Sequence, residues 1–420
     1  MGEINSGFWR TQRRFLLLVV FGVSIAFILN FPFWAVAQTA NANVGIEPNR
    51  NNELRGIWLT NVDSDVLFSS QRLQQAIERL KRLNFNTIYP TVWNGGYTLY
   101  PSKVAEKSFG AKIDPIPEFK NRDMLAEAVK FGHEQKLAVI PWFEYGLMTE
   151  EGSDLMRQHP DWITSRKDGS KVFLHGEKNQ HRLVWLNPAK PEVQKFLTDL
   201  IVEVVTKYDV DGIQLDDHFG MPAELGYDDY TISLYQKDNF GKLPPEDINA
   251  PEWVRWRSNY VTNLMRNISQ EVRRVKPNCL ISLSPNPKDF SYAKYLQDWY
   301  TWVNLGYIDE LVVQVYRNTI EDYQRELERP ELRKIRQKIP VSVGILTGLR
   351  IQNVDMRQIM GQVKVARDLD FDGFSFFFYE TLGTRDSSFQ SLLFAPATRP
   401  DSRSIASAKI DLKVGKTKNK

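Results

Sequence analysis

From residue 54 to about residue 395, short apolar runs alternate with longer segments whose apolar residues recur every three or four positions. Side chains alternate faces with period two on a strand and with period 3.6 on a helix, so the runs read as strands and the spaced segments as helices. The expected strands are 54–60, 87–93, 137–144, 210–219, 280–285, 310–316, 341–346 and 373–380. Helices are expected from Ser70, with Leu73, Ala76, Ile77, Leu80 and Leu83 on one stripe, over 124–134, from about Pro191, and over 252–275. Two longer stretches interrupt the alternation, 145–187 and 220–251. The first carries a hairpin signal at Lys167-Asp168-Gly169-Ser170.

Eight strand–helix units predict a (β/α)8 TIM barrel, an α/β fold, with long insertions after strands 3 and 4. A doubly wound open sheet is the alternative, but no glycine-rich nucleotide loop follows the first strand. The barrel domain is expected over 54–395. Residues 38–53 read as a linker, and 396–420 as a basic flexible tail ending Lys413-Val414-Gly415-Lys416-Thr417-Lys418-Asn419-Lys420.

Residues 1–37 do not fit the barrel pattern. Arg10, Arg13 and Arg14 precede an apolar run from Phe15 to Val36, which closes Ala35-Val36-Ala37-Gln38. That is the layout of a secretory signal, and the run is also long enough for a signal anchor. Either predicts an exported protein, periplasmic or extracellular, whose membrane contact is confined to residues 15–36. Taking three Arg and one Glu from 54 basic and 51 acidic residues leaves 51 and 50. A near-neutral body of this kind argues against a nucleic-acid partner. Cys279 is the single cysteine, which excludes an internal disulfide and a Cys-rich metal site.

Catalytic residues in such barrels lie at the carboxyl ends of the strands. The fourth strand ends Asp216-Asp217-His218, which packing does not require. Alternation puts Gln214, Asp216 and His218 on the inward face and Asp217 on the helix-facing side, where capping a helix or pairing with an Arg is as open to it as catalysis. The third strand ends Trp142-Phe143-Glu144-Tyr145 and the eighth Tyr379-Glu380. The rim also carries Trp58 and Asn61, Trp93, Asn94 and Tyr97, Asn286, and Gln314 and Tyr316. Aromatic faces with short polar side chains suit a sugar, and carboxylates suit its hydrolysis. Asp216 is the candidate nucleophile or base, Glu144 and Glu380 the candidate acids, and Asp217 a further catalytic candidate. Trp58, Asn61, Trp93, Asn94, Tyr97, Trp142, Tyr145, His218, Asn286, Gln314, Tyr316 and Tyr379 are the candidate substrate-binding residues. No cofactor or metal is expected. Trp253, Trp256, Trp299 and Trp302 lie on helical segments and are assigned to packing.

Leu54-Arg55-Gly56-Ile57-Trp58-Leu59-Thr60-Asn61, Asp211-Gly212-Ile213-Gln214-Leu215-Asp216-Asp217, Ile308 to Tyr316 and Phe376-Phe377-Phe378-Tyr379-Glu380 together resemble the bacterial glycosyl-hydrolase-like family 10, in its cyanobacterial form. The resemblance spans the whole expected barrel. It implies an exported TIM barrel acting on a cell-envelope or extracellular glycan, including peptidoglycan strands stripped of their peptides. Asp211 to Asp216 is also similar to the fourth-strand motif of the α-amylase family, which implies a nucleophile role for Asp216 alone. Gln214 stands where that motif has arginine, and the fifth strand lacks its acid. Two other readings remain: a metal-dependent polysaccharide deacetylase with Asp216, Asp217 and His218 as ligands, and a non-catalytic glycan-binding barrel.

Overall fold

The computed structural model describes residues 51–175, 181–349 and 352–401. The leader or anchor expected over residues 1–37 lies outside them. Among the described residues, no helix is long and apolar enough to cross a membrane.

Nine parallel strand segments form the central sheet. In chain order they are β1 (Leu54–Leu59), β2 (Thr87–Pro90), β3 (Ala138–Val139), β4 (Trp142–Phe143), β5 (Gly212–Asp216), β6 (Leu280–Ser284), β7 (Glu310–Gln314), β8 (Val341–Leu346) and β9 (Gly373–Phe377). Their order across the sheet is β3-β2-β1-β9-β8-β7-β6-β5-β4. The two ends of this order, β3 and β4, are neighbours in sequence. Residues 138–143 hydrogen-bond on both sides. The Ile140 and Val92 N–H groups link them to the second strand region, at 3.0 and 2.9 Å, and the Asp211 and Gln214 N–H groups link them to the fourth, at 3.0 and 2.8 Å. Pro141 has no N–H to give, which is why the expected strand 137–144 is two short segments.

Helices cover the outer face: α1 (Ser70–Arg82), α2 (Met124–Glu134), α3 (Pro191–Lys207), α4 (Pro251–Val275), α5 (Trp299–Asn304), α6 (Ile320–Leu327) and α7 (Met356–Asp368). Each starts where the sequence supplies a stop or a cap. Ser69 and Asp123 accept from the N–H groups of Arg72 and Ala126, and Pro191 and Pro251 occupy first-turn positions. The apolar stripe Leu73, Ala76, Ile77 and Leu80 of α1 is buried against the sheet, as its spacing predicts. Trp253, Trp299 and Trp302 are buried in packing positions.

Between β4 and α3 lies a small antiparallel sheet of Met148–Glu150, His181–Trp185 and Phe173–His175. Between β5 and α4 lies a helix, Asp229–Asp238, absent from the expected pattern. Only Thr231 and Tyr235 of that helix are buried, too sparse a stripe to read from spacing. The described part of the expected tail is anchored, in contrast to the sequence reading. Thr398 bridges Asn52, and Arg399 pairs with Glu310 at the amino ends of the strands.

The concave face carries its own cluster of Trp58, Tyr89, Ile140, Trp142, Leu280, Val312, Tyr316, Phe377 and Phe378. Trp58 donates to Gln214 Oε1 at 2.7 Å, and Gln214 donates on to Ser282 Oγ at 3.0 Å. This buried, hydrogen-bonded layer fills the space beneath the carboxyl ends of the strands.

Candidate active site

β5 ends at Asp216, which is 1% exposed. Trp142 Nε1 donates to its Oδ2 at 3.0 Å, and the main-chain N–H of His218 donates to its Oδ1 at 2.9 Å. Gln297 Nε2 donates to its main-chain oxygen at 2.7 Å. Burial is the main cause that raises the Asp216 pKa from 3.8 to about 7; His218 opposes it, and Asp217 and Glu144 add to it.

The strand stops one residue before Asp217, and this corrects the expectation that Asp217 faces the helices. The following turn brings its carboxylate to the same side as Asp216. Asn286 Nδ2 donates to its Oδ2 and Gln314 Nε2 to its Oδ1, each at 2.9 Å. Ligand atoms of Asp216, Asp217 and His218 all lie within 4.8 Å of one another.

His218 Nδ1 lies 3.0 Å from the main-chain oxygen of Glu144 and 3.4 Å from Asp216 Oδ2. Burial alone would push its pKa down. Asp217, Asp216 and Glu144 outweigh burial and raise it to about 10, which favours the protonated ring. An imidazolium has no lone pair for a metal ion. Carboxylate oxygens of Asp216 and Asp217 with a neutral His218 imidazole would suit a divalent cation, whose binding would displace the ring proton. Gly146 lets the next loop approach. Its φ is +48°, and a Cβ there would meet the His218 main chain at 2.6 Å.

Glu144 follows β4 and is 2% exposed. Its Oε2 accepts from Thr60 at 3.3 Å, Thr91 at 3.0 Å and Asn94 Nδ2 at 2.9 Å. Burial raises its pKa, against the pull of these donors and of His218.

Glu380 lies in the turn Tyr379–Leu382 that follows β9. The Val66 N–H reaches its Oε1 at 3.3 Å, while its Oε2 is buried without a hydrogen-bond partner. Burial raises its pKa from 4.5 to about 7, although Ser64 and backbone N–H groups pull it the other way. Asn61 Oδ1 is a second buried acceptor without a partner.

The structure therefore brings together Asp216, Asp217, His218, Glu144, Asn94, Trp142, Asn286 and Gln314. Tyr316 stands close, its hydroxyl pKa raised by burial, Asp217 and Asp216. Tyr145 packs on the His218 ring, with centroids 6.3 Å apart. Trp58 belongs to the layer beneath. Three expected sugar contacts lie elsewhere. Trp93 is fully buried against Phe196 of α3, Tyr97 hydrogen-bonds Asp154, and Tyr379 lies under Arg79 of α1. Trp93–Asn94 pairs with Tyr97–Thr98 in a two-residue hairpin, which points the rings of Trp93 and Tyr97 into packing. Four residues at the centre were not among the sequence candidates: Thr60, Thr91, Gln297 and Ser284. Thr60 and Thr91 sit at strand ends, a legible signal. Ser284 lies opposite Asp216 in register with its Oγ unpartnered. Gln297 precedes α5 and gave no sequence signal.

A curled parallel sheet with buried carboxyls gathered at the carboxyl ends of its strands defines an α/β protein with a polar cluster at the mouth of its sheet. Residues 53–365 match the family Glycosyl hydrolase-like 10, and the chain belongs to it. Glycosyl hydrolase DigH of Escherichia coli (strain K12) is 28% identical over 314 residues, covering 63% of this chain and 65% of that protein. Glycosyl hydrolase YngK of Bacillus subtilis (strain 168) is 23% identical over 340 residues, covering 72% of this chain and 59% of that protein. The chain thus spans less than two thirds of either relative's length. Among solved structures, the PgaB (BpsB) glycoside hydrolase domain from Bordetella bronchiseptica matches with a TM-score of 0.57 at 11% identity, covering 81% of this chain and 99% of that one. Alpha-L-fucosidase isoenzyme 2 from Paenibacillus thiaminolyticus matches with a TM-score of 0.56 at 12% identity, covering 87% and 50%. At these identities the likeness is one of fold.

Proposed function

We propose that this chain is an exported glycoside hydrolase that cleaves O-glycosidic bonds of a cell-envelope glycan, peptide-free peptidoglycan strands being the first candidate, by a two-carboxylate mechanism. The reading takes 54–395 as an eight-stranded barrel in which residues 138–143 form one interrupted strand. Two insertions follow strands three and four, and residues 1–37 act as the export signal or anchor.

The observation that carries it is the buried carboxyl of Asp216 at the mouth, oriented by Trp142 and His218. Asp216 serves as nucleophile or base at the anomeric carbon, its anion formed beside the His218 imidazolium. Glu380 serves as the acid. It follows the strand that lies across the sheet order from β5, its Oε2 is unengaged, and burial keeps it protonated near neutrality. Glu144, tied by three donors, fixes the electrostatics around His218. Asp216→Asn should abolish hydrolysis while glycan binding persists; undiminished hydrolysis by that variant sinks the assignment. The grouping of Asp216, Asp217 and His218 within 4.8 Å favours a second reading, metal-dependent deacetylation. Activity that survives a chelator excludes it.

A further inference from the structure

Resting on the glycosidase reading above, we propose that Asp217 reads the substituent at C2 of the sugar whose bond is broken. It accepts a hydrogen bond from an O–H or N–H there, and Asn286 and Gln314 are its positioning residues.

Asp216 and Asp217 are consecutive, yet the end of β5 turns both carboxyls to the mouth, with atoms within 4.8 Å. A pyranose that offers its anomeric carbon to Asp216 presents its C2 substituent one carbon further along the ring. Asp217 is the neighbouring acidic group at that displacement. Each of its oxygens takes one amide N–H, from Asn286 and from Gln314. Each oxygen keeps a second lone pair, so Asp217 is placed to accept a hydrogen bond from a substrate O–H or N–H.

Both amides clamp Asp217. Gln314 Nε2 also donates to Ser284 O at 2.9 Å, which uses both of its N–H groups. Asn286 is pinned through its main-chain oxygen by Ser291 Oγ at 2.8 Å and Trp299 Nε1 at 3.1 Å. Asn286 is 5% exposed and Gln314 7%, so water does not compete at either bond. A carboxylate clamped from the end of β7 and from the loop after β6 is aimed before substrate arrives, and a donor at C2 then strengthens its bond as charge develops on the ring.

The test measures kcat/KM on 4-nitrophenyl glycosides bearing acetamido, hydroxyl or hydrogen at C2, for the wild type, Asp217→Ala and Gln314→Met. The first two sugars separate N–H from O–H recognition. A hydrogen bond to a charged group is worth about 1.5–3 kcal/mol, so the wild type should prefer its C2 donor over hydrogen by roughly 10- to 150-fold. That ratio should collapse to within about threefold in Asp217→Ala and shrink in Gln314→Met. A structural lesion lowers all three substrates in parallel and leaves the ratio intact; an intact ratio in Asp217→Ala overturns the proposal. If the wild type cleaves none of these glycosides, calorimetry with peptide-free glycan oligosaccharides decides, comparing Asp216→Asn with Asp216→Asn/Asp217→Ala. Tighter binding by the first supports the role of Asp217, and equal binding overturns it. Absence of binding to both removes the glycosidase reading and the proposal with it.

Discussion

Replacing Glu380 with Gln should raise stability and destroy activity, and both effects follow from one buried oxygen. Glu380 Oε2 is buried and unpartnered, and burial lifts the pKa from 4.5 to about 7. The folded chain therefore holds a proton that the unfolded chain releases between these values. Stability from this group is fully present below about pH 4.5 and is lost as pH rises through 7. A shift of this size corresponds to about 3 kcal/mol of penalty on the ionised form above pH 8. Gln keeps the shape and the contact near Val66 but does not titrate. Urea unfolding at pH 4.5 should find the two proteins equal to within about 0.5 kcal/mol; at pH 8.5 the variant should be more stable by about 2–3 kcal/mol. Its turnover should fall by about 10²- to 10⁴-fold on glycans, with much of the loss recovered on substrates whose leaving groups need no proton. Glu144→Gln should show no such recovery. A stability difference that does not change with pH would refute the buried-acid reasoning, and rescue confined to Glu144→Gln would move the acid to that residue.

The remaining predictions concern the same centre and its frame. The kcat/KM profile of the wild type should be bell-shaped around neutrality, rising as Asp216 ionises through about pH 7 and falling as Glu380 loses its proton near the same pH; a flat profile from pH 5 to 9 contradicts the pair. Hydrolysis should be unaffected by prolonged dialysis against a chelator, and loss restored by a divalent cation would favour the deacetylase reading. Arg399→Met should destabilise by about 2–4 kcal/mol, because Glu310, 1% exposed, then keeps a buried charge without its cation; a double Arg399→Met/Glu310→Gln variant that recovers nothing would show that the ion pair is not the cause.

Much of the fold was legible because it depends on periodicity. The apolar strand cores fall where the runs predict, and α1, α2, α3 and α4 start within a residue of where the spacing puts them. What the sequence concealed lies mostly where strands end. Asp217 was expected on the helix side because period-two alternation was carried one residue beyond Asp216, where the chain already turns. Tyr379 and Glu380 likewise follow β9 rather than belong to it, and only a turn explains why Tyr379 meets Arg79. Trp93 stands at a strand end, but its hairpin with Tyr97–Thr98 sends the ring into the core. Residue type alone does not distinguish an aromatic platform from a packed indole. The roles of Thr60, Thr91 and Gln297 depend on contacts between residues 53 to 84 positions apart, such as Thr91 with Glu144 and Gln297 with Asp216, which no local pattern encodes. The same holds for Thr398 and Arg399. They read as the start of a basic tail and instead close the amino-terminal end of the sheet.

The most direct test of the central claim is product analysis by mass spectrometry of residues 38–420, incubated in chelator with purified peptidoglycan, with the same glycan stripped of its stem peptides, and with an α-glucan control. Shortened glycan products that appear with the wild type and vanish with Asp216→Asn are the predicted result, with the stripped strands as the preferred substrate. Intact glycans in every incubation, with the protein still bound to them, would contradict it and identify a glycan-binding barrel without hydrolytic competence.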